Sequence, residues 1–213
     1  MRSHWKPAFI TSSSIFSFLL FYCYAYFGKM DTAIALAAVA GTGGFTMGIS
    51  LGIAPAVRYL GSPRRFFRYR KGFGIIGYFY SLVYTLGIVA LTPEQYFANF
   101  PSLLLTVPSI LGIISMTILT MMTLISNQTM VTFFGFTLWK RIMRIGYAAY
   151  GALVVRAILI EGDIWMAWLT SPDLSIPPPR LLLSIFATLV IVTGISQHLI
   201  PKPAPRIRLS SGY

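Results

Sequence analysis

Residues able to act as ligands, nucleophiles or proton carriers are few in this chain, and they are dispersed. Two histidines, His4 and His198, stand near its two ends. The single cysteine, Cys23, has no second thiol with which to form a disulfide or a metal site, and reads as a small apolar residue. The five carboxylates are Asp31, Glu94, Glu161, Asp163 and Asp173, and none has a histidine beside it. No nucleophile–base pair follows from such spacing, so hydrolysis, phosphoryl transfer and metal chemistry are not expected. Two motif-like stretches fail on context. Gly72-Phe-Gly74-Ile-Ile-Gly77 has the G-x-G-x-x-G spacing of a dinucleotide loop, but a basic stretch precedes it where that motif needs a strand. Asn127-Gln-Thr129 has the spacing of a glycosylation acceptor, on the side that the charges below assign to the cytoplasm. Arg156 is different: it is a cation inside an apolar run, and such residues are functional candidates by default. Its alternative role is structural, since Glu161 and Asp163 follow about one and a half turns later, within reach of a snorkelling side chain.

The elements that hold these residues are set by composition. Of 213 residues, 56% are hydrophobic and only 10% are charged, against about 25% charged in soluble domains. Apolar runs of about 18 or more residues match the length of a helix crossing a bilayer. Six such runs occur, over 8–27, 32–57, 72–91, 101–125, 142–160 and 181–199. Lipid leaves backbone groups to be satisfied within the segment, so all six are expected to be helices. The fold class predicted is a single all-α, six-span membrane bundle covering 1–213. Arg2 and Lys6 ahead of the first run resemble a signal-peptide start, but no small-x-small cleavage site follows, so a retained helix is expected. In the second run, Gly44, Gly48 and Gly52 recur every four residues, which allows a second backbone to come close. A contact within the chain is expected there in preference to a dimer. Pro55 is expected to bend or end that helix. In the loop before the last span, Trp165 and Trp168 suit a membrane interface, and Pro177–Pro179 exclude helix up to the span.

The net charge of +12 does not indicate nucleic acid, because of where the charges fall. Arg2 and Lys6, the loop from Arg58 to Lys71, the stretch Lys140–Arg144 and the tail with Lys202, Arg206 and Arg208 lie on one side of a six-span topology. All five acids lie on the other. Cytoplasmic loops carry the excess of lysine and arginine, so both termini are expected in the cytoplasm, with anionic lipid headgroups as the partner of the basic loops.

Two segments carry a family resemblance. One runs from Thr42-Gly-Gly to Leu51-Gly-Ile-Ala-Pro55-Ala-Val-Arg58 and, after the basic loop, through Arg70-Lys-Gly-Phe-Gly-Ile-Ile-Gly-Tyr-Phe-Tyr80-Ser-Leu-Val-Tyr84. The other is Trp139-Lys-Arg-Ile-Met143-Arg-Ile-Gly-Tyr147, followed by Ala148 to Arg156. Together they resemble the ferric reductase-like transmembrane family, in particular the haem-binding membrane subunit that serves bacterial periplasmic methionine sulfoxide reductase. The resemblance implies a six-helix bundle in a bacterial inner membrane, haem b held by histidines, and electron transfer to a periplasmic acceptor. The family's haem-ligand histidines fall on Tyr84, Met143 and Arg156, so all three are replaced. Met143 and Arg156 keep the family's spacing of thirteen, about 20 Å along a helix. Tyrosine and methionine can ligate haem iron, but the guanidinium of Arg156 has no free lone pair. The first expectation is therefore a haem-free or haem-poor structural, assembly or accessory subunit of a membrane complex, with no cofactor of its own. The alternative is an oxidoreductase that binds haem b or quinone through other ligands. A transporter or channel is disfavoured, since Arg156 is the one ionisable residue placed well inside a span.

Overall fold

The computed structural model describes residues 5–59, 61, 64–94, 102, 104–171 and 176–199. Its helices are α1 (Trp5–Phe27), α2 (Thr32–Tyr59), α3 (Phe67–Leu91), α4 (Val107–Ile125), α5 (Gln128–Phe134), α6 (Phe136–Ile142), α7 (Ile145–Thr170) and α8 (Pro179–Leu199), with a 3-10 turn at Arg64–Phe66 before α3. No strand occurs among the described residues. Five helices, α1, α2, α3, α4 and α8, are long and apolar enough to cross a membrane. The remaining expected span, over 142–160, falls on α7, which has 26 residues but carries Arg156, Glu161 and Asp163.

Three boundaries differ from expectation, each for a local reason. α4 starts at Val107, not at 101, because Pro108 has no N–H to give and belongs in a first turn, after the extended residue Thr106. α7 starts at Ile145 and runs ten residues past 160, since no proline intervenes before Pro172. Trp165 and Trp168 are therefore on α7, not in a loop. α2 continues through Pro55 to Tyr59, so that proline does not end it.

α2 is the centre of the bundle, and its small residues decide its neighbours. A Cβ on Gly43 would lie 2.6 Å from Ser81 Oγ and 3.1 Å from the Gly77 carbonyl oxygen, so α2 and α3 cross almost backbone to backbone. Gly44, Gly48 and Gly52 face elsewhere: Gly44 receives Leu183, Gly48 receives Phe186 and Tyr150, and Gly52 lies 3.6 Å from Val190. The four-residue glycine repeat is thus an intramolecular seat for α8 and for Tyr150 of α7. On the other flank α1 packs Leu19 and Cys23 against Ile34 and Ala38 of α2. Buried hydroxyls in these apolar helices bond back to carbonyls one turn earlier, as Ser12 does to Ala8 (2.7 Å) and Thr42 to Ala38 (2.8 Å). Away from these contacts the helices present apolar side chains outward, such as Phe9, Phe18 and Phe21 on α1, a surface suited to lipid.

Candidate functional site

The three positions singled out by the resemblance occupy three different settings. Arg156 extends from α7 across α4, where its Nε donates to the Pro108 carbonyl at 3.0 Å. Gly112 makes the space: a Cβ there would sit 3.2 Å from that nitrogen and 3.6 Å from Cζ. The expected pairing of Arg156 with Glu161 and Asp163 is not formed. Glu161 instead takes Arg180 of α8 at 2.7 Å and the indole N–H of Trp165 at 3.4 Å, because five residues along α7 turn it about 140° away from Arg156, toward α8, while Arg156 points to α4. Tyr84 is half-buried on α3. Among the described residues no hydrogen bond, ring contact or cation–π contact joins it to Arg156.

Met143 is not on the long helix at all. It caps the C-terminus of α6, and Arg144 follows before α7 begins. The helical rise between Met143 and Arg156 therefore does not start at Met143. What Met143 does line is a cavity of about 260 Å³ at the basic end of the bundle. Met47, Leu119 and Met122 form its apolar interior, while Arg70, Lys71 and Asn127 stand among the residues around it. Three local features build this chamber. Ser50 Oγ of α2 donates to the Arg70 carbonyl at 2.8 Å, drawing the start of α3 against α2. Asn127 caps α5, its Oδ1 accepting from Met130 N at 2.8 Å, which gives the glycosylation-like triplet a structural role. Gly135, at φ +72° and ψ 148°, adopts a conformation open in practice to glycine alone and turns α6 back beneath the cavity. Trp139 then anchors α6 to α4 by donating to the Ile125 carbonyl at 3.2 Å. Tyr78 and Thr120, joined at 3.1 Å, bridge α3 and α4 deeper in the bundle.

A haem fits this donor set poorly. Arg156 has no lone pair to give and is committed to α4, Tyr84 is not brought to it, and Met143 stands at the opposite end of the bundle. His4 and the side chain of His198 lie outside the described residues. No protein-family model matches the chain, and no curated protein is similar to it. In the sequence Arg70 and Lys71 read as headgroup contacts, and the cavity is not legible there, because its walls come from six helices and no single stretch carries its signature.

Proposed function

We propose that this chain is a six-span membrane protein with a ferric reductase-like framework that works without a redox centre of its own. In this reading it is a structural, assembly or accessory subunit of a membrane complex, with both termini in the cytoplasm of a bacterial inner membrane. The observation that carries it is the use made of Arg156. At a position where the family it resembles keeps a haem ligand, this chain has a cation hydrogen-bonded to α4 over Gly112, a packing role that leaves no donor for iron. The retained part is the frame, α2 with its close partners α3 and α8. A second reading, electron transfer through haem b or quinone to an acceptor on the acidic side, has Met143 at the basic-end cavity in its favour.

An absorption spectrum distinguishes them. Protein purified in detergent from cells supplied with haem is examined oxidised and dithionite-reduced, with a pyridine haemochrome assay. The accessory reading expects protein absorption alone and co-purification of other membrane subunits. A Soret band with reduced α and β bands at about one haem per chain would overturn it in favour of the electron-transfer reading.

A further inference from the structure

The basic-end cavity combines two features that belong to different kinds of ligand. Its interior is apolar, with three methionines, Met47, Met122 and Met143, whose flexible side chains adapt to varied apolar shapes. Beside them stand two consecutive cations. Arg70 is half-buried, and its own carbonyl is held by Ser50, so the residue that carries the guanidinium is fixed to α2. Yet among the described residues neither the half-buried Arg70 nor the exposed Lys71 beside it is paired with a carboxylate. The ion pairs among the described residues are Lys29–Asp31 and Arg180–Glu161, both at the far end of the bundle. Partly burying the Arg70 cation without a countercharge is costly, and an anion placed there, within reach of exposed Lys71, relieves that cost.

We propose that this cavity binds one anionic phospholipid, with its phosphate against Arg70 and Lys71 and an acyl chain among Met47, Leu119, Met122 and Met143. The proposal rests on the membrane reading of the chain, and it is independent of whether haem is bound. Charge complementarity selects the head and the apolar chamber selects the tail. Basic pockets between spanning helices are established places for acidic headgroups. A soluble anion would satisfy the two cations but not the chamber, and a zwitterionic lipid would fill the chamber while bringing its own cation to Arg70. The residues that differ from a general headgroup patch are these two. Arg65 and Arg68, nearby in the same basic stretch, rest over Phe66 and Tyr69 with their guanidinium carbons 6.0 Å and 5.0 Å from the ring centres, and do not line the cavity.

The test uses the full chain in a non-ionic detergent, with dioleoyl phosphatidylglycerol, dioleoyl phosphatidylcholine or inorganic phosphate added. Thermal unfolding and native mass spectra are recorded. Phosphatidylglycerol is expected to raise Tm and to persist as about one adduct per chain, and the other two probes to do neither. Arg70→Gln with Lys71→Gln is expected to weaken that adduct about tenfold or more. Arg65→Gln with Arg68→Gln is expected to leave it as in the parent. Met143→Trp, which fills the chamber and alters no charge, is expected to remove it as well, and this variant decides the matter if the Arg70/Lys71 variant does not fold. An adduct that survives Met143→Trp, an equal loss in the Arg65/Arg68 variant, or an equal Tm shift with phosphate or phosphatidylcholine would overturn the proposal. None of these outcomes bears on the haem spectrum, which tests the accessory reading separately.

Discussion

Pro55 deprives the Leu51 carbonyl of its helical donor, because proline has no N–H to return one turn back. Tyr147 supplies the missing bond from another helix: its hydroxyl donates to the Leu51 oxygen at 2.9 Å. Gly194 of α8 makes the ring's place, since a Cβ there would fall 2.3 Å from Tyr147 Cε1. One residue thus repairs α2 and locks α7 and α8 to it. Tyr147→Phe is expected to lower stability by about 1–3 kcal/mol through the unsatisfied carbonyl. Adding Pro55→Ala restores an N–H at that turn, so the double variant is expected to lose less than Tyr147→Phe alone. A double-mutant cycle on unfolding in detergent measures this coupling, and strict additivity would show that the Leu51 carbonyl is satisfied in some other way. The sequence shows Pro55 and Tyr147 plainly, but not that they answer one another, because they are far apart along the chain and meet only through helix register.

At the scale of whole elements, the glycines give α2 different partners on different faces. Gly43 meets the backbone of α3, where nothing can yield, while Gly52 has Val190 at an ordinary 3.6 Å. Gly43→Leu is therefore expected to push α2 and α3 apart and destabilise by about 1–3 kcal/mol or more, and Gly52→Ala to change stability little. Comparable thermal shifts in the two variants would count against this division of faces. The G-x-G-x-x-G stretch belongs to the same contact: Gly77 opposes Gly43, and a Cβ on Gly74 would meet Ser50 Oγ at 3.1 Å. Gly74 and Gly77 thus serve helix packing. The start of α2 is set differently, by Asp31, whose Oδ1 accepts from Ile34 N at 2.8 Å. That backbone bond, and secondarily Lys29, holds the Asp31 carboxyl below its usual range. A depressed folded-state pKa gives a stabilisation that is complete above the unfolded value of about 4 and fades as pH falls through the folded value. Asp31→Asn keeps a capping oxygen without a titrating carboxyl. It should flatten the acid limb of a stability–pH profile below about pH 4; an unchanged limb would assign it to other carboxylates.

For the molecule as a whole, charge and packing agree on polarity. Most cations gather at one end, and each of the three described cations toward the other end is engaged: Lys29 with Asp31, Arg180 with Glu161, and Arg156 with the Pro108 carbonyl. Arg180 and Glu161 fasten α7 to the start of α8 at 2.7 Å. Helices α7 and α8 run antiparallel, as the contacts of Tyr147 with Gly194 and of Glu161 with Arg180 at opposite ends require. Reporter fusions at the two ends of the chain are expected to report the same, cytoplasmic compartment. Opposite compartments would mean that one of the six helices does not cross.

The sequence by itself determined that this is a bundle of long apolar helices, because a bilayer's thickness translates directly into a run of about 20 residues. It also marked the basic and acidic ends and the small-residue repeat at Gly44, Gly48 and Gly52. Only the tertiary structure decided which helix each glycine receives, that Arg156 reaches Pro108 across Gly112 and not Glu161, that Met143 caps a short helix beside a cavity, and that Arg70 and Lys71 flank that cavity with no carboxylate among the described residues paired to them. The reason is physical. In a soluble helix a polar face tells which side turns inward, but helices apolar all round carry no such mark. Their rotation and register are set by close packing between residues distant in the chain, and the site at the basic end is a product of that packing.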